Sequence, residues 1–152
     1  MIADKIGAKM KKIIIFLIII LLIITGISYM YLNYKATTND SKIKNIQYAG
    51  YLNKEIYGTD LATVINKAVN DNIKNEVQKN SNGLYEDNQK NSIKIDIKFK
   101  EDDKIHNMEE VYNTGIDKFM QLYNQIKFKC TKLEYHEKTQ LVSYMYFEEV
   151  DT

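Results

Sequence analysis

The chain has 152 residues, a formal net charge of +1 and a single cysteine. This length accommodates one folded domain together with one targeting or anchoring segment. All 21 basic residues are lysines, and a charge this close to zero argues against a nucleic acid as the partner. Because arginine is absent, the bidentate guanidinium sites that often hold phosphate or carboxylate groups are excluded.

The N-terminal region joins a basic segment to a long apolar run. Residues 1–12 contain four lysines and one aspartate, whereas the remainder contains 17 lysines and 19 acidic residues. The 20 residues of 13–32 carry no charge, and the first twelve of them are all apolar. A helix of this length spans a hydrocarbon core of about 30 Å. We therefore predict a cytoplasmic basic segment at 1–12 and a transmembrane helix or signal anchor at 13–32.

The lysines before the apolar run also predict the orientation in the membrane. Positive charge is retained on the cytoplasmic side, so the N-terminus is expected in the cytoplasm and the rest of the chain outside the cell membrane. Tyr29, Tyr31 and Tyr34 lie where interfacial aromatic residues are common. The alternative is a secretory signal that is cleaved after Ser28. Both alternatives export the domain that follows.

Two helices are predicted after the anchor. Residues 33–42 are polar and indicate a linker or a helical extension, and the extracytoplasmic domain is expected over 43–152. Apolar residues at helical spacing between Ile43 and Ile56 predict an amphipathic helix next to the membrane. Residues 58–60 then supply a break and an N-cap for a second helix, which should end in the turn-forming residues 80–83.

The middle of the domain predicts a strand followed by a helix. Residues 93–99 alternate between isoleucine or phenylalanine and charged residues, which is the pattern of a strand with one buried face. Asn107 and Glu110 have the spacing of a capping box, and apolar residues follow at helical period through Tyr123. On this helix Phe119 is expected in the core, and Glu109 on the exposed side.

The C-terminal part predicts a β-hairpin. Residues 126–135 and 141–147 are rich in aromatic and β-branched residues and are separated by a polar turn. The apolar parity changes between Phe128 and Leu133, so a bulge is expected near Thr131. The fold class is therefore α+β: an N-terminal transmembrane helix, then a small domain with two or three helices packed on a short antiparallel sheet.

Several side chains are candidates for chemical sites. Cys130 and His136 are six residues apart along a predicted strand, about 20 Å at 3.3 Å per residue, so a nucleophile–base pair is not expected and burial of Cys130 is favoured. Two histidine-containing groups lack metal-ligand spacing and are interpreted as solvated loops: Glu134, His136 and Glu137; and His106 with Glu101, Asp102 and Asp103. The strand face of Lys94, Lys98 and Lys100 is interrupted by Asp96 and is interpreted as solvated.

We accordingly nominate no catalytic, cofactor-binding or metal-binding residue and expect no cofactor. Phosphate-binding glycine loops and nucleophile elbows are absent from the sequence. The chain is expected not to be an enzyme, and no small-molecule substrate is evident. The expected partners are the lipid bilayer, through residues 13–32, and another envelope protein.

The order of segments also resembles type IV pilins and pseudopilins, which have a short basic leader, an apolar helix that runs into an amphipathic one, and a C-terminal antiparallel sheet. The resemblance covers the layout of the whole chain. The processing motif differs, because Gly7 is followed by Ala8 and then Lys9 rather than directly by the apolar run, and no glutamate lies within the run. The resemblance implies a subunit of a pilus or secretion apparatus.

The leading hypothesis is a membrane-anchored, non-catalytic binding or structural component of an envelope-associated complex. A pilin-like subunit is the first alternative, and a secreted enzyme of unknown class is the second.

Overall fold

The structure is a computed structural model that describes the backbone of residues 2–150 and the side chains of residues 9–36 and 41–150. It divides into two compact units, Met1–Asn39 and Asp40–Thr152. Helix α1 spans Ile2–Ala49, so the backbone of residues 33–42 is helical. Within α1, Lys9–Ala49 contains a segment that is long and apolar enough to cross a membrane, and none of that segment is buried by protein.

The second unit is an α+β domain, and this fold class confirms the prediction. Its elements in chain order are β1 (Glu55–Tyr57), α2 (Gly58–Lys74), β2 (Lys94–Lys98), β3 (Ile105–Asn107), α3 (Met108–Thr114), α4 (Ile116–Tyr123), β4 (Lys127–Tyr135) and β5 (Val142–Glu149). The strands form one five-stranded sheet in the order β1-β4-β5-β2-β3. The short strands β1 and β3 were not predicted.

The sheet is mixed, and the prediction of a purely antiparallel sheet is wrong at one pairing. Strand β2 runs parallel to β5, with Ile95 opposite Met145 and Ile97 opposite Phe147, whereas the other pairings are antiparallel. Alternating apolar residues determine which face of a strand is buried, but the same pattern fits a neighbour running in either direction.

One face of the sheet packs with the helices into a single core. The fully buried large residues of that core include Leu61, Ile65, Ile95, Ile97, Met108, Phe128, Met145 and Phe147. The β4–β5 hairpin confirms the predicted C-terminal hairpin, and its register shifts between Cys130 and Lys132, as expected for a bulge near Thr131. Burial of alternate residues therefore places β2, β4 and β5 at the centre of the domain.

The predicted amphipathic helix over 43–56 differs from the structure. Helix α1 ends at Ala49, Ile56 lies in β1, and Ile43 and Ile46 are 68% and 73% exposed. The buried face carries Tyr48 and polar side chains. Asn45 Oδ1 accepts a hydrogen bond from the backbone N–H of Val142 at 2.9 Å, and Tyr48 belongs to the hydrophobic core, so a hydrogen bond to the hairpin and an apolar contact together orient the last turns of α1.

The predicted helix over 108–123 is two helices. Gly115 separates α3 from α4 and has a φ of 111°, which side-chain-bearing residues rarely adopt. The N-cap is confirmed, since Asn107 Oδ1 accepts from the backbone N–H of Glu110 at 2.9 Å. Helix α2 also ends earlier than predicted, at Lys74 rather than near residues 80–83.

A close approach fixes the start of α2 against the end of α4. A Cβ atom at Gly58 would lie 2.1 Å from the carbonyl oxygen of Tyr123. The Gly58 N–H also donates to the carbonyl of Ile126 at 2.9 Å. This contact holds α4 over the core, and α4 with α3 forms one side of the cavity described next.

Candidate functional site

The candidate site is a cavity of about 310 Å³ between the β2–β3 turn and helices α3 and α4. It combines an aromatic floor, a wall of carboxylates and an exposed aliphatic rim. A concave apolar site with a few convergent polar groups is the usual form of a ligand-binding site. Its lining residues include Phe99, Glu101, Asp102, His106, Glu110, Val111, Lys118, Phe119, Leu122 and Tyr123.

The floor is a cluster of aromatic rings. The rings of Phe119 and Tyr123 stack at 5.0 Å between centroids, and the ring of Phe99 lies 4.9 Å from that of Tyr123. Phe128, which is fully buried, meets Phe99 edge to face at 5.8 Å. Such arrangements stabilise aromatic pairs beyond their burial. The cluster anchors α4 to the sheet and gives the cavity a fixed apolar base.

His106 forms one wall by joining two carboxylates. Its Nε2 lies 2.8 Å from Asp102 Oδ2, and its Nδ1 lies 3.0 Å from Glu110 Oε2. The imidazole also meets the ring of Phe99 edge to face at 5.2 Å. Both contacts to carboxylates are hydrogen bonds only when both ring nitrogens carry protons. The histidine therefore connects the β2–β3 turn to the first turn of α3.

Further bonds hold the two carboxylates in place. The backbone N–H of Lys104 donates to Asp102 Oδ1, and the Lys104 ammonium contacts Glu110 Oε1 at 3.3 Å. The hydrogen bond from His106 is the main reason that the pKa of Asp102 is lowered. The wall thus consists of carboxylates that these contacts hold in a fixed orientation.

The lining has a net negative charge. Three carboxylates and Lys118 give −2 with a neutral His106, or −1 with a charged one, and Lys104, which contacts Glu110 from beside the cavity, offsets one further charge. Burial raises the pKa of Tyr123 most, and the charges of Glu101, Glu149 and Asp102 raise it further. The negative field therefore extends to the Tyr123 hydroxyl.

Leu122 forms an apolar rim beside this field. It lies on α4 and is 64% exposed, although it neighbours the buried cluster. A single exposed leucine is ordinary, but here it adjoins a concave apolar surface. The cavity has room for a side chain of a partner, and Leu122 adds an apolar contact surface beside it.

The structure does not bring Cys130 and His136 together as a chemical pair. Cys130 is buried, as predicted, and its Sγ donates to the carbonyl of Lys132 at 3.5 Å. Burial raises the pKa of the thiol. His136 was expected in a solvated loop, and that expectation is wrong: it is 5% exposed, with Nε2 2.8 Å from the carbonyl oxygen of Ser92. The segment before β2 contacts the hairpin turn and covers the His136 side chain.

The group around His106 was only partly recognised from the sequence. Asp102 was named beside this histidine, but Glu110 was missed, although the spacings 102–106 and 106–110 are both four residues. Within the part of the chain that the structure describes, no three His, Cys, Asp or Glu side chains are grouped so as to hold a metal ion. Glu134 contacts Lys132, and Lys98 contacts Asp103.

A larger cavity of about 550 Å³ lies near Tyr85 and β3, but two of its carboxylates, Glu109 and Asp96, already have partners. Glu109 Oε1 accepts from the backbone N–H of Tyr85 at 2.9 Å, and Asp96 Oδ2 accepts from the Tyr144 hydroxyl at 2.9 Å. Glu109 was expected on the exposed side of its helix, and that expectation is wrong, since it is 6% exposed. Glu109 thus holds the segment around Tyr85 against α3, and Asp96 joins β2 to β5.

No protein-family model, curated protein or solved structure matches this chain significantly.

Proposed function

We propose that this protein is a single-pass, membrane-anchored binding protein without catalytic activity, whose outer α+β domain binds another envelope protein. The observation that carries the proposal is the aromatic-floored cavity with Leu122 exposed at its rim. Interface cores favour aromatic side chains in fixed positions beside apolar surface. The cavity is the contact site, and the aromatic cluster keeps it preformed.

The apolar helix supports anchoring in the membrane. Its residues from Ile13 to Leu32 are exposed along their length, which is costly in water and favourable in lipid. The lysines that precede Ile13 support a cytoplasmic N-terminus at the cell membrane. The α+β domain then faces outward.

The partners of the candidate nucleophile and bases support a non-catalytic role. Both nitrogens of His106 face carboxylates, and Nε2 of His136 faces a backbone carbonyl. A raised pKa disfavours the reactive thiolate of Cys130. Each of these groups contacts another part of the protein. In proton transfer or nucleophilic attack, a substrate would have to take the place of that partner.

A pilin-like subunit is the second candidate, and the extent of α1 favours it. The apolar segment and the residues that contact the hairpin, such as Asn45, belong to one helix. In that role the apolar segments of several copies would pack together. Disulfide formation between copies of an Ile20→Cys variant in membranes would then give covalent dimers, whereas a monomeric anchor would give none.

Photo-cross-linking in intact cells tests the proposed function. A photoreactive amino acid at Leu122 is expected to capture a discrete envelope protein. The same substitution at Ile73, which is 57% exposed on α2 and lies away from the cavity, is the matched control and should not capture it. An identical pattern from both positions would contradict the assignment of the cavity as the contact site.

Protease treatment of intact spheroplasts tests the topology. We expect digestion of the chain beyond Lys35 and retention of a membrane-embedded N-terminal fragment. Carbonate-washed membranes should retain the full-length chain. Protection of the domain would reverse the proposed orientation, and a mature protein that begins at Tyr29 in the medium would favour the cleaved signal.

A further inference from the structure

We propose that the cavity binds the ammonium group of a lysine side chain that a protein partner presents. This inference rests on the proposed partner-binding function and adds the chemistry of what is recognised. It combines three features of the lining: preorganised carboxylates, a partly exposed aromatic ring and apolar walls.

The carboxylates have capacity to accept further hydrogen bonds. Asp102 and Glu110 are held by His106 and Lys104, and each carboxylate oxygen has two lone pairs. Glu101 is exposed at the same mouth and contributes to the field felt by Tyr123. An ammonium group has three donors and can contact several of these oxygens at once.

Tyr123 supplies an aromatic surface for the cation. Phe99 and Phe119 are 7% and 6% exposed, whereas Tyr123 is partly exposed. A cation within about 6 Å of an aromatic centroid is attracted by the ring quadrupole. The carboxylates near the Tyr123 hydroxyl attract the same cation, so their attraction adds to that of the ring.

The apolar walls favour a cation carried on an aliphatic stem. Val111 and Leu122 lie among the lining residues, and the methylene groups of lysine bury well against such surfaces. A bare divalent cation would need about six oxygen ligands. An anion would be repelled by the lining, and a neutral apolar side chain would desolvate the carboxylates without compensation.

Nuclear magnetic resonance of the ¹⁵N-labelled full chain in nonionic maltoside micelles tests the proposal. The two probes are N-acetyl-lysine methylamide and N-acetyl-norleucine methylamide, which have similar stems and differ in the ammonium group. We expect the lysine probe to shift backbone amide signals within residues 99–123 and to bind at least about fivefold more tightly than the norleucine probe. Raised salt should weaken only the lysine probe.

Three variants locate the effect. Glu101→Gln and Tyr123→Leu are each expected to weaken binding of the lysine probe about threefold. Glu137→Gln, a charge change outside the cavity, should leave it unchanged. The number and dispersion of the amide signals should be retained in all three, which shows that the domain remains folded.

Equal affinity of the two probes, or shifts confined to residues outside 99–123, would overturn the ammonium assignment. If cross-linking from Leu122 still captures a partner, the binding function stands and only the recognised group is wrong. If the lysine probe binds as expected but cross-linking captures nothing, the chemistry of the cavity stands and the proposed protein partner is wrong.

Discussion

The side-chain amide of Asn72 pairs with both backbone polar groups of Ile93. Its Nδ2 donates to the Ile93 carbonyl oxygen at 2.8 Å, and its Oδ1 accepts from the Ile93 N–H at 2.8 Å. Asn72 is fully buried on α2, and Ile93 directly precedes β2. The amide thus supplies the hydrogen bonds that a neighbouring strand would supply, and it joins the helix to the sheet.

Replacement of Asn72 by alanine should therefore destabilise the domain strongly. Both polar groups of Ile93 would remain buried without their partner, and the loss is expected to be about 2 kcal/mol or more in the free energy of unfolding. Asn70→Ala, an exposed asparagine on the same helix, should cost less than about 0.5 kcal/mol. Urea titration of the full chain in maltoside micelles, monitored by the near-ultraviolet circular dichroism of tyrosine, measures the free energy of unfolding of both variants. Equal midpoints would show that the pairing contributes nothing.

Glu109→Ala should also destabilise the domain, by about 1 to 3 kcal/mol. The Glu109 carboxylate is buried and accepts the backbone N–H of Tyr85, so its removal leaves that donor unpaired. Glu109→Gln should recover part of the loss because an amide oxygen still accepts the bond. Glu137→Ala, at an exposed position, is the control. The same urea titration compares the free energies of unfolding of these variants. Equal values for Glu109→Ala and Glu137→Ala would support the sequence-based expectation that Glu109 is exposed.

Phe119→Ala should cost about 3 to 5 kcal/mol, because a buried ring is removed from contact with three others. Leu122→Ala on the same helix should cost less than about 0.5 kcal/mol, since Leu122 is 64% exposed. Hydrogen exchange of amides in α4 and β4 would show the difference residue by residue. Unchanged protection in the Phe119 variant would contradict the docking of α4 on the sheet.

Acidification should destabilise the segment that precedes β2. The backbone N–H of Gln89, then the Ser92 hydroxyl, lower the pKa of Asp87. A folded-state pKa below the unfolded value of about 3.9 gives stability that is present above that value and is lost as the pH falls through the lower one. Asp87 is largely exposed, so the effect is small.

Asp87→Asn should therefore flatten the fall in unfolding free energy below about pH 5. Ser92→Ala, which removes one donor, should flatten it partly. Urea titrations of the parent and both variants at a series of pH values compare the slopes. Parallel slopes for all three proteins would mean that Asp87 is not held by these donors.

Periodicity predicted most of the core, because repeating patterns report on burial. The alternation at Ile95 and Ile97 and the N-cap at Asn107 both have the expected positions. Patterns fail where polar side chains are buried for a specific partner. Asn72, Glu109 and His136 look like surface residues in the sequence, and only contacts with segments distant in the chain explain their burial.

The cavity was likewise beyond sequence reasoning. Its aromatic floor joins Phe99 to residues of α4 and β4, which are 20 or more residues away. The sequence does contain a pattern for the two contacts of His106, because Asp102 and Glu110 each lie four residues from it. That spacing brings the side chains together only because β3 leads directly into α3.

By itself, the sequence determined the apolar segment, the α+β class and the buried faces, since each depends on local composition and on the period of a helix or strand. The tertiary structure alone decided the parallel β2–β5 pairing, the break at Gly115 and the cavity beside His106. These depend on which segments meet, and a one-dimensional pattern of burial is compatible with several such arrangements. The free energy of packing and of satisfying each buried polar group selects among them.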